Sequence, residues 1–568
     1  SNQLKQLVAY VIPESESTFN AEVIRNALEQ RLPEYMIPKC FVPIAQVPLT
    51  INGKLDKSRL PEPKFIQIDN YVAPRNDLET TLCDVWQQLL GVEQVGVEDN
   101  FFQIGGDSIL CIQLVSKLRQ LNFDLQVAMI VDAPTIGELA ETLTYNTDKV
   151  IIEAEQGTLE GEYELLAIQQ SFFDESFEKP NYWNQAFTLT LPESVDAELL
   201  EKILAKLVEH HDVLRTRFVK DGNAITQCYL SPDEFSQPKL KTQNVIVLNE
   251  QQLHSLLTNW QSRFHCFEGP LWQAAFLTGF EDGMNRLFFA AHHLVIDTVS
   301  WRILSDDIQQ LVAGKELPLK TSSYRQWVAC LQSYARNHVE EVAYWQNVTG
   351  AVTSEPTTGA VELKEIPFSK QLTQTLLHHA NQGFHTEIND LLLSALAATL
   401  AEVFQRNENT IILEGHGREA IDPKIDISHT LGWFTSAYPV RLNVGTTLAE
   451  TIIQTKEMLR AIPNKGVGYG TFYHLGKLPA TRPPVIFNYL GQFDAHKKDA
   501  GTKNTLWQLS SDGCGEMAAK ANVEDFLFNI RGSIRNGELK FSIISQVCSD
   551  TSLQFANSFK CTLTAVTE

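Results

Sequence analysis

Two polar stretches, one after Pro61 and Pro63 and one over residues 146–162, divide this 568-residue chain into three segments of different pattern. The first, residues 1–66, predicts a small α+β piece. Residues 7–12 are a short apolar run that reads as a strand. Ala21, Ile24, Leu28 and Leu32 share a helical face behind Asn20, and Asn52-Gly53 signals a hairpin. So few residues have the look of a fragment of something larger. The second segment, residues 67–147, carries helical faces. Leu78, Leu82, Val85, Trp86 and Leu89 run up to Gly91, and Leu110, Leu114, Leu118 and Leu121 follow from about Ser108. Thr135 with Glu138 forms a capping box ahead of Ile136, Leu139 and Leu143. Three or four short helices in that span predict a small bundle. In the third segment, residues 160–568, helical patterns alternate with apolar strand runs such as residues 286–294 and 410–413. That predicts α/β, long enough for two lobes, about 160–335 and 336–568.

Charge and cysteine usage exclude several function classes. Lys plus Arg is 46 and Asp plus Glu is 69, for a formal net charge of −23. Such a surface repels phosphate backbones and anionic lipid, so no nucleic-acid partner and no membrane role is expected. The most apolar stretch, residues 391–403, is broken by Ser394, Thr399 and Glu402. No basic-then-apolar leader opens the sequence. The nine cysteines are scattered singly with no CxxC pair, which predicts reduced thiols in a cytoplasmic protein and no zinc site.

Three motifs carry candidate chemistry. In residues 101–109, FFQIGGDSI, two glycines precede Ser108 at a predicted helix start, where free amides favour an anion such as a phosphodiester. The competing reading is an ordinary helix cap by Asp107 or Ser108. In residues 286–301, a strand ends in His292-His293 and Asp297 follows. Neighbouring strand residues point to opposite faces, so the two histidines cannot readily share one metal; one should face the interior and one a cavity. Asp297 can fix the imidazole or brace the turn. In residues 410–419, TIILEGHGRE, Glu414 lies on the same strand face as Ile412 and can aim into a cavity, or can pair with Arg418 to brace the turn. The pairs His210-His211 and His378-His379 lie in helical patterns and read as packing or surface residues.

FFQIGGDSI resembles the phosphopantetheine attachment site of peptidyl carrier proteins in nonribosomal peptide synthetases. That resemblance implies 4'-phosphopantetheine on Ser108 and a phosphopantetheinyl transferase as partner. HHLVIDTVSW and EGHGRE, with Gly432-Trp433-Phe434-Thr435-Ser436 and Phe487-Asn488-Tyr489-Leu490-Gly491-Gln492, resemble the epimerisation domain of the same synthetases, a relative of condensation domains and chloramphenicol acetyltransferase. The implied fold is a four-helix carrier bundle followed by a two-lobed, acetyltransferase-like domain. The implied acid/base pair is His293 and Glu414, with Asn488 and Tyr489 nearby, no metal, and Asp297 structural, bridged to Arg215. His292 and Arg418 are supporting candidates. Thr298 departs from the Gly that many relatives carry there.

Residues 32–60 resemble the end of an adenylation domain, with Lys54 at the place of its catalytic lysine. The ATP-binding core of that domain is missing, so the resemblance implies a partner outside this chain, as well as a downstream condensation domain. The expected reaction is epimerisation of an L-aminoacyl or peptidyl thioester at Cα. The thioester acidifies Cα–H because the carbanion delocalises into its carbonyl. The alternatives are a condensation-type acyltransferase and an inert carrier or interaction module.

Overall fold

The computed structural model describes residues 8–11, 40–44 and 71–567, except 93, 103, 107, 122, 124, 126, 146–151, 351, 353–358, 379, 381–383, 385, 493–505 and 512. The chain forms two compact units, Ser1–Ala73 and Pro74–Glu568. In the first, β1 (Val8–Val11) pairs in parallel with β2 (Cys40–Pro43). The strand expected over residues 7–12 is therefore present. The helix behind Asn20, the Asn52-Gly53 hairpin and Lys54 lie outside the described residues.

The second unit begins with a helical bundle: α1 (Asp77–Leu90), α2 (Ser108–Gln120), α3 (Val127–Asp132) and α4 (Ile136–Tyr145). Local sequence sets its ends. Asn76 Oδ1 accepts from the Glu79 amide at 2.9 Å, and Gly91 closes α1 in the left-handed region. The expected box at α4 is formed, with Thr135 Oγ1 accepting from the Glu138 amide and Glu138 Oε2 from the Thr135 amide. Leu82, Trp86, Leu89, Phe101, Leu114 and Leu118 are fully buried at its centre.

Two α/β lobes follow. The first contains β3 (Gly161–Tyr163), α5 (Ala167–Asp174), β4 (Asn184–Leu191), α6 (Ala197–His210), β5 (Thr216–Asp221), β6 (Ala224–Tyr229), β7 (Lys241–Asn244), α7 (Glu250–Gln261), β8 (Trp272–Thr278), β9 (Asn285–His292), α8 (Thr298–Val312) and α9 (Tyr324–Asn337). The second contains α10 (Glu341–Thr349), β10 (Glu362–Pro367), α11 (Lys370–His378), α12 (Ile388–Phe404), β11 (Glu408–Gly415), β12 (Ser436–Asn443), α13 (Leu448–Arg460), α14 (Tyr469–His474), β13 (Val485–Gln492), β14 (Leu509–Ser510), β15 (Phe528–Arg535), β16 (Glu538–Ser545) and α15 (Ser549–Val566).

The first lobe's sheet has the order β14-β4-β9-β8-β7, and the second lobe's β10-β16-β15-β13-β11-β12. Strand β9 is central and covered on both faces, which explains its near-continuous apolar run. One of its faces packs on α6 and α8 through Phe289, Leu207 and Leu304, and the other on α7 through Phe288 and Leu257. In the second lobe, Ile411 and Leu413 pack with Leu396, Phe555 and Phe559 of α12 and α15. The alternate residues Ile412 and Ile486 face the opposite way, beside Phe526.

The lobes are stitched together twice. Strand β14 comes from the C-terminal half yet pairs with β4 of the first lobe's sheet. Residues 418–434 also cross over and bind α8. Asp307 of α8 accepts from His211 Nε2 at 2.7 Å and from His429 Nε2 at 2.8 Å. His211, read from sequence as a packing or surface residue, is therefore part of a buried polar cluster spanning both lobes.

Candidate active site

A cavity of about 1030 Å³ runs between the lobes, and both His293 and Glu414 line it. They come from different sheets.

His293 begins a short 3₁₀ turn at the end of β9. Its Nδ1 lies 2.8 Å from the Ile296 carbonyl, which can only accept, so Nδ1 carries the proton. Nε2 lies 2.8 Å from Gln185 Nε2. Gln185 is itself oriented by Trp301, whose indole N–H donates to Gln185 Oε1 at 2.7 Å. The Gln185 amide nitrogen therefore donates to His293, and Nε2 keeps its lone pair. The tautomer is assigned from this chain of bonds. Trp433 covers the ring at 4.3 Å between centroids. Burial lowers the imidazole to about 4, against the opposite pull of its bonds to backbone. His292 points the other way: it is fully buried, with Nε2 donating to the Pro180 carbonyl at 2.8 Å and Nδ1 accepting from the Leu294 amide. The expected division, one histidine inward and one to a cavity, is present, and it arises where β9 passes into the 3₁₀ turn.

Glu414 lies on β11, on the face opposite the helical core. The parallel register sets Ile412 beside Ile486 and Leu413 beside Phe487, and Asn488 beside Arg531. Glu414, Asn488 and Arg531 consequently form one row across three neighbouring strands. Asn488 Nδ2 donates to Glu414 Oε2. Arg531 also reaches Glu524 Oε2 at 3.2 Å. Burial raises the Glu414 carboxyl to about 7, opposed by the Arg531 charge and the Asn488 bond and assisted by Glu524. Tyr489 lines the same cavity.

Asp297 caps α8 and touches neither acid/base candidate by a hydrogen bond. Its Oδ1 accepts from the Ser300 amide and hydroxyl, both at 2.7 Å, and Oδ2 from the Phe434 amide at 3.2 Å. Its ion pair corrects the expectation: the partner is Arg418, at 3.1 Å, and not Arg215. Arg215 is turned instead to Asp212 at 2.6 Å and to the carbonyls of Leu159 and Leu230. The same geometry removes the Glu414–Arg418 brace considered above. Arg418 spends its guanidinium on Asp297, Ser300 and the carbonyls of Ile427 and Thr430. Gly417 makes the crossing possible, because a Cβ there would lie 1.7 Å from the Phe434 oxygen.

Ser108 is the first residue of α2, and the loop before it, through Phe102, Gly105 and Gly106, lines the same cavity as His293 and Glu414. A Cβ at Gly106 would sit 2.3 Å from the Phe101 ring. The glycine therefore holds the loop against the bundle and leaves its outer side open to the cavity. These residues suit a long arm leaving Ser108. Among the described residues no cluster suits a metal, and no helix is long and apolar enough to cross a membrane. Gln185, Trp301, Trp433 and Arg531 were not singled out for roles from sequence.

Comparison with known proteins places these features. Residues 159–568 match the condensation-domain family and residues 80–143 the phosphopantetheine attachment site family, whose members carry 4'-phosphopantetheine on a serine supplied by a phosphopantetheinyl transferase. Tyrocidine synthase 1 of Brevibacillus parabrevis is 35% identical over 96% of this chain, and tyrocidine synthase 2 of the same organism 37% over 94%. The chain spans only 53% and 15% of those two relatives. The solved epimerization domain from the third module of tyrocidine synthetase B is 33% identical, with a TM-score of 0.65, covering 73% of this chain and 98% of that one. The first condensation domain of the calcium-dependent antibiotic synthetase shares the fold at 16% identity, with a TM-score of 0.55 over 72% of this chain and 96% of that one. The chain belongs to the condensation-domain family and, with its phosphopantetheine carrier, is a piece of a nonribosomal peptide synthetase.

Proposed function

We propose that this chain epimerises the Cα of an aminoacyl or peptidyl thioester carried on Ser108, for use by a downstream condensation domain. The observation that carries the reading is the common cavity. His293 enters it from one lobe, Glu414 from the other, and the loop ahead of Ser108 opens into it. The likeness to a solved epimerization domain at 33% identity supports the same choice. The arm, when bound to Ser108, would present the acyl group as a thioester whose carbonyl acidifies the adjacent Cα–H. We place the reaction in the cytoplasm, in keeping with the free thiols from Cys83 to Cys561, and amino-acid activation on an adenylation core outside this chain.

With Glu414 near 7 and His293 near 4, the pair holds one proton between those values, and Glu414 holds it. Once the substrate displaces the Gln185 amide from it, the His293 Nε2 lone pair takes the Cα proton while Glu414 delivers its own from the other wall. The centre inverts and the pair still holds one proton. The reverse reaction starts from the exchanged state. Asn488 keeps Glu414 aimed, and Gln185 keeps Nε2 unprotonated. Charge developing on the thioester oxygen needs a donor, for which Tyr489 and backbone amides near it are placed in the cavity wall. Condensation would leave the raised Glu414 without a task.

The test loads Ser108 with an L-aminoacyl group in D₂O and supplies no acceptor carrier. Deuterium should enter Cα and the D form should accumulate. A loaded thioester that keeps its proton and its L configuration excludes epimerisation.

A further inference from the structure

The face of β11 and β13 that carries Glu414 and Asn488 changes character two residues earlier. There the paired Ile412 and Ile486 meet Phe526 in a small apolar cluster of their own. All three line the cavity, and none belongs to the core packed against the opposite face of the sheet. On the first lobe's wall, Trp183 stands two residues before Gln185, and its carbonyl accepts from the His293 amide at 2.8 Å. Its ring stacks on Phe177 at 4.8 Å between centroids; both rings are half-buried and line the cavity. The two patches lie at one end of it. Ala518 bridges to Trp183, and the chain runs on from there to Phe526. Arg482 lies over the Phe526 ring at 4.1 Å and pairs with Glu175, two residues before Phe177.

That end is the one away from Ser108. Ile112 of the bundle shares a cluster with Ile303 and Leu304 of α8, and Arg302 of α8 donates to the Gln492 carbonyl at 2.9 Å. Gln492 closes β13, Ile486 lies near its start, and Asn488 is between them. The carrier therefore lies toward the Gln492 end, and the apolar compartment lies beyond the acid/base pair.

Removing the Cα proton flattens that carbon. Its nitrogen, side chain and thioester carbonyl then share the plane between the two walls, and inversion moves the proton rather than these groups. The carbonyl points back along the arm. The nitrogen is an ammonium or an amide, and either would lose its hydrogen bonds among Ile412, Ile486 and Phe526. The side chain is the substituent left for the compartment.

We propose that this compartment holds the side chain of the residue being inverted and selects large apolar ones, aromatic ones first. This rests on the epimerase reading and names its substrate class. Both walls build the compartment, so it serves the L and D forms alike. From Asn488 to Ile486 is roughly 7 Å of strand, which a leucyl or phenylalanyl chain spans and a methyl does not. The Phe177–Trp183 stack offers an aromatic ring an offset or edge contact. A lysyl or aspartyl chain would be desolvated there without a partner, because Arg482 and Glu175 are engaged with each other.

The test loads Ser108 of the full chain from aminoacyl coenzyme A thioesters, which bypasses selection by an adenylation core. Phenylalanyl and leucyl groups should invert at least about tenfold faster than alanyl, and lysyl and aspartyl more slowly than alanyl. Trp183→Ala, Phe526→Ala and Ile486→Trp should each lower the phenylalanyl-to-alanyl ratio about tenfold. A ratio within one protein does not depend on how much of the variant folds. Equal rates in the parent, or an unmoved ratio in any variant, would overturn the proposal. Dipeptidyl groups show which residue is held: alanyl-phenylalanyl should invert faster than phenylalanyl-alanyl. The opposite order would give the compartment to the upstream residue and overturn the proposal. Location has its own readout. A diazirine-bearing leucyl group, loaded through a stable amide in place of the thioester, should on irradiation label the segments holding Phe177 and Trp183 or Ile486 and Phe526. Labelling confined to other segments, or none, also overturns the proposal. Labelling there in a chain that inverts no thioester would instead sink the epimerase reading and leave the compartment standing.

Discussion

On the first lobe's wall, His293 is held by a relay of neutral groups: a backbone carbonyl on one nitrogen, Gln185 and Trp301 on the other, and Trp433 over the ring. On the second lobe's wall, Glu414 sits in a row of charged and amide groups across three parallel strands. Both groups are buried, and burial drives both toward neutrality. The surroundings decide how far. Around His293 hydrogen bonds to backbone and the Asp297 charge resist it, the Arg531 charge adds to it, and the imidazole falls to about 4. Around Glu414 the Arg531 charge opposes burial, and the carboxyl stops at about 7. A wall of mostly neutral contacts thus makes a base that stays unprotonated at neutral pH, and a charged row makes a group that titrates there.

The strongest way to break the comparison is to remove one member. His293→Gln or Glu414→Gln should each lower inversion about 10²- to 10⁴-fold, since the reaction must visit both walls. Exchange should fall unequally: each variant should still wash deuterium into one enantiomer of the loaded thioester and not the other. Chirality and deuterium content, followed from L- and D-loaded carrier, check both halves. Near-parent inversion in Glu414→Gln would move the second acid/base role elsewhere, to Tyr489 first.

Next is the support beneath the histidine wall. Arg418→Ala leaves Asp297 buried without its partner and should cost about 3–5 kcal/mol. Arg215→Ala removes a different buried pair and leaves the α8 cap untouched. Urea unfolding monitored with activity separates them: Arg418→Ala should lose His293 function at denaturant concentrations where Arg215→Ala retains it.

The pH profile measures the two walls together. Inversion requires one proton on the pair, so it should rise with pH through about 4, as His293 becomes neutral, and fall through about 7, as Glu414 loses its proton. The two apparent values belong to the coupled pair. Each pH unit beyond an arm should cost about tenfold, read from initial rates of inversion of the loaded thioester.

Two smaller effects move the arms unequally. Gln185→Leu removes a donor that stabilises neutral His293, so the lower arm should shift upward and the rate should fall about tenfold. Arg531→Gln removes a charge that holds Glu414 down, so the upper arm should rise by about one pH unit with the lower arm moving less. The Arg531 charge also lowers His293, so both arms should rise in Arg531→Gln, the upper one more; a larger shift of the lower arm would reverse the comparison.

The choice of His293 and Glu414 as acid/base candidates came from the resemblance; the residues alone left open which histidine meets the cavity and whether Glu414 pairs with Arg418. Alternation along β11 puts Glu414 on the face of Ile412, which needs no knowledge of the fold, whereas His292 and His293 part where β9 passes into the 3₁₀ turn. The Thr135–Glu138 box and the Gly91 stop were legible because they are local. What failed was choice between distant partners. The resemblance assigned Asp297 to Arg215, whereas the crossing of residues 418–434 over α8 brings Arg418 within its reach. The Glu414–Asn488–Arg531 row depends on β13 lying between β11 and β15, an order that nothing in the local pattern expresses.

The pairing of β14 with β4 bears on the order in which the chain is made. During synthesis the first lobe's sheet is complete in all but its outermost strand once β9 has emerged, and β4 waits as an open edge until residues 509–510 arrive. At roughly 5–20 residues per second that interval is on the order of tens of seconds, during which an unpaired edge can recruit another nascent chain. Any dissection of this protein that stops short of residue 509 recreates that open edge permanently, and the fragment should aggregate where the intact chain does not.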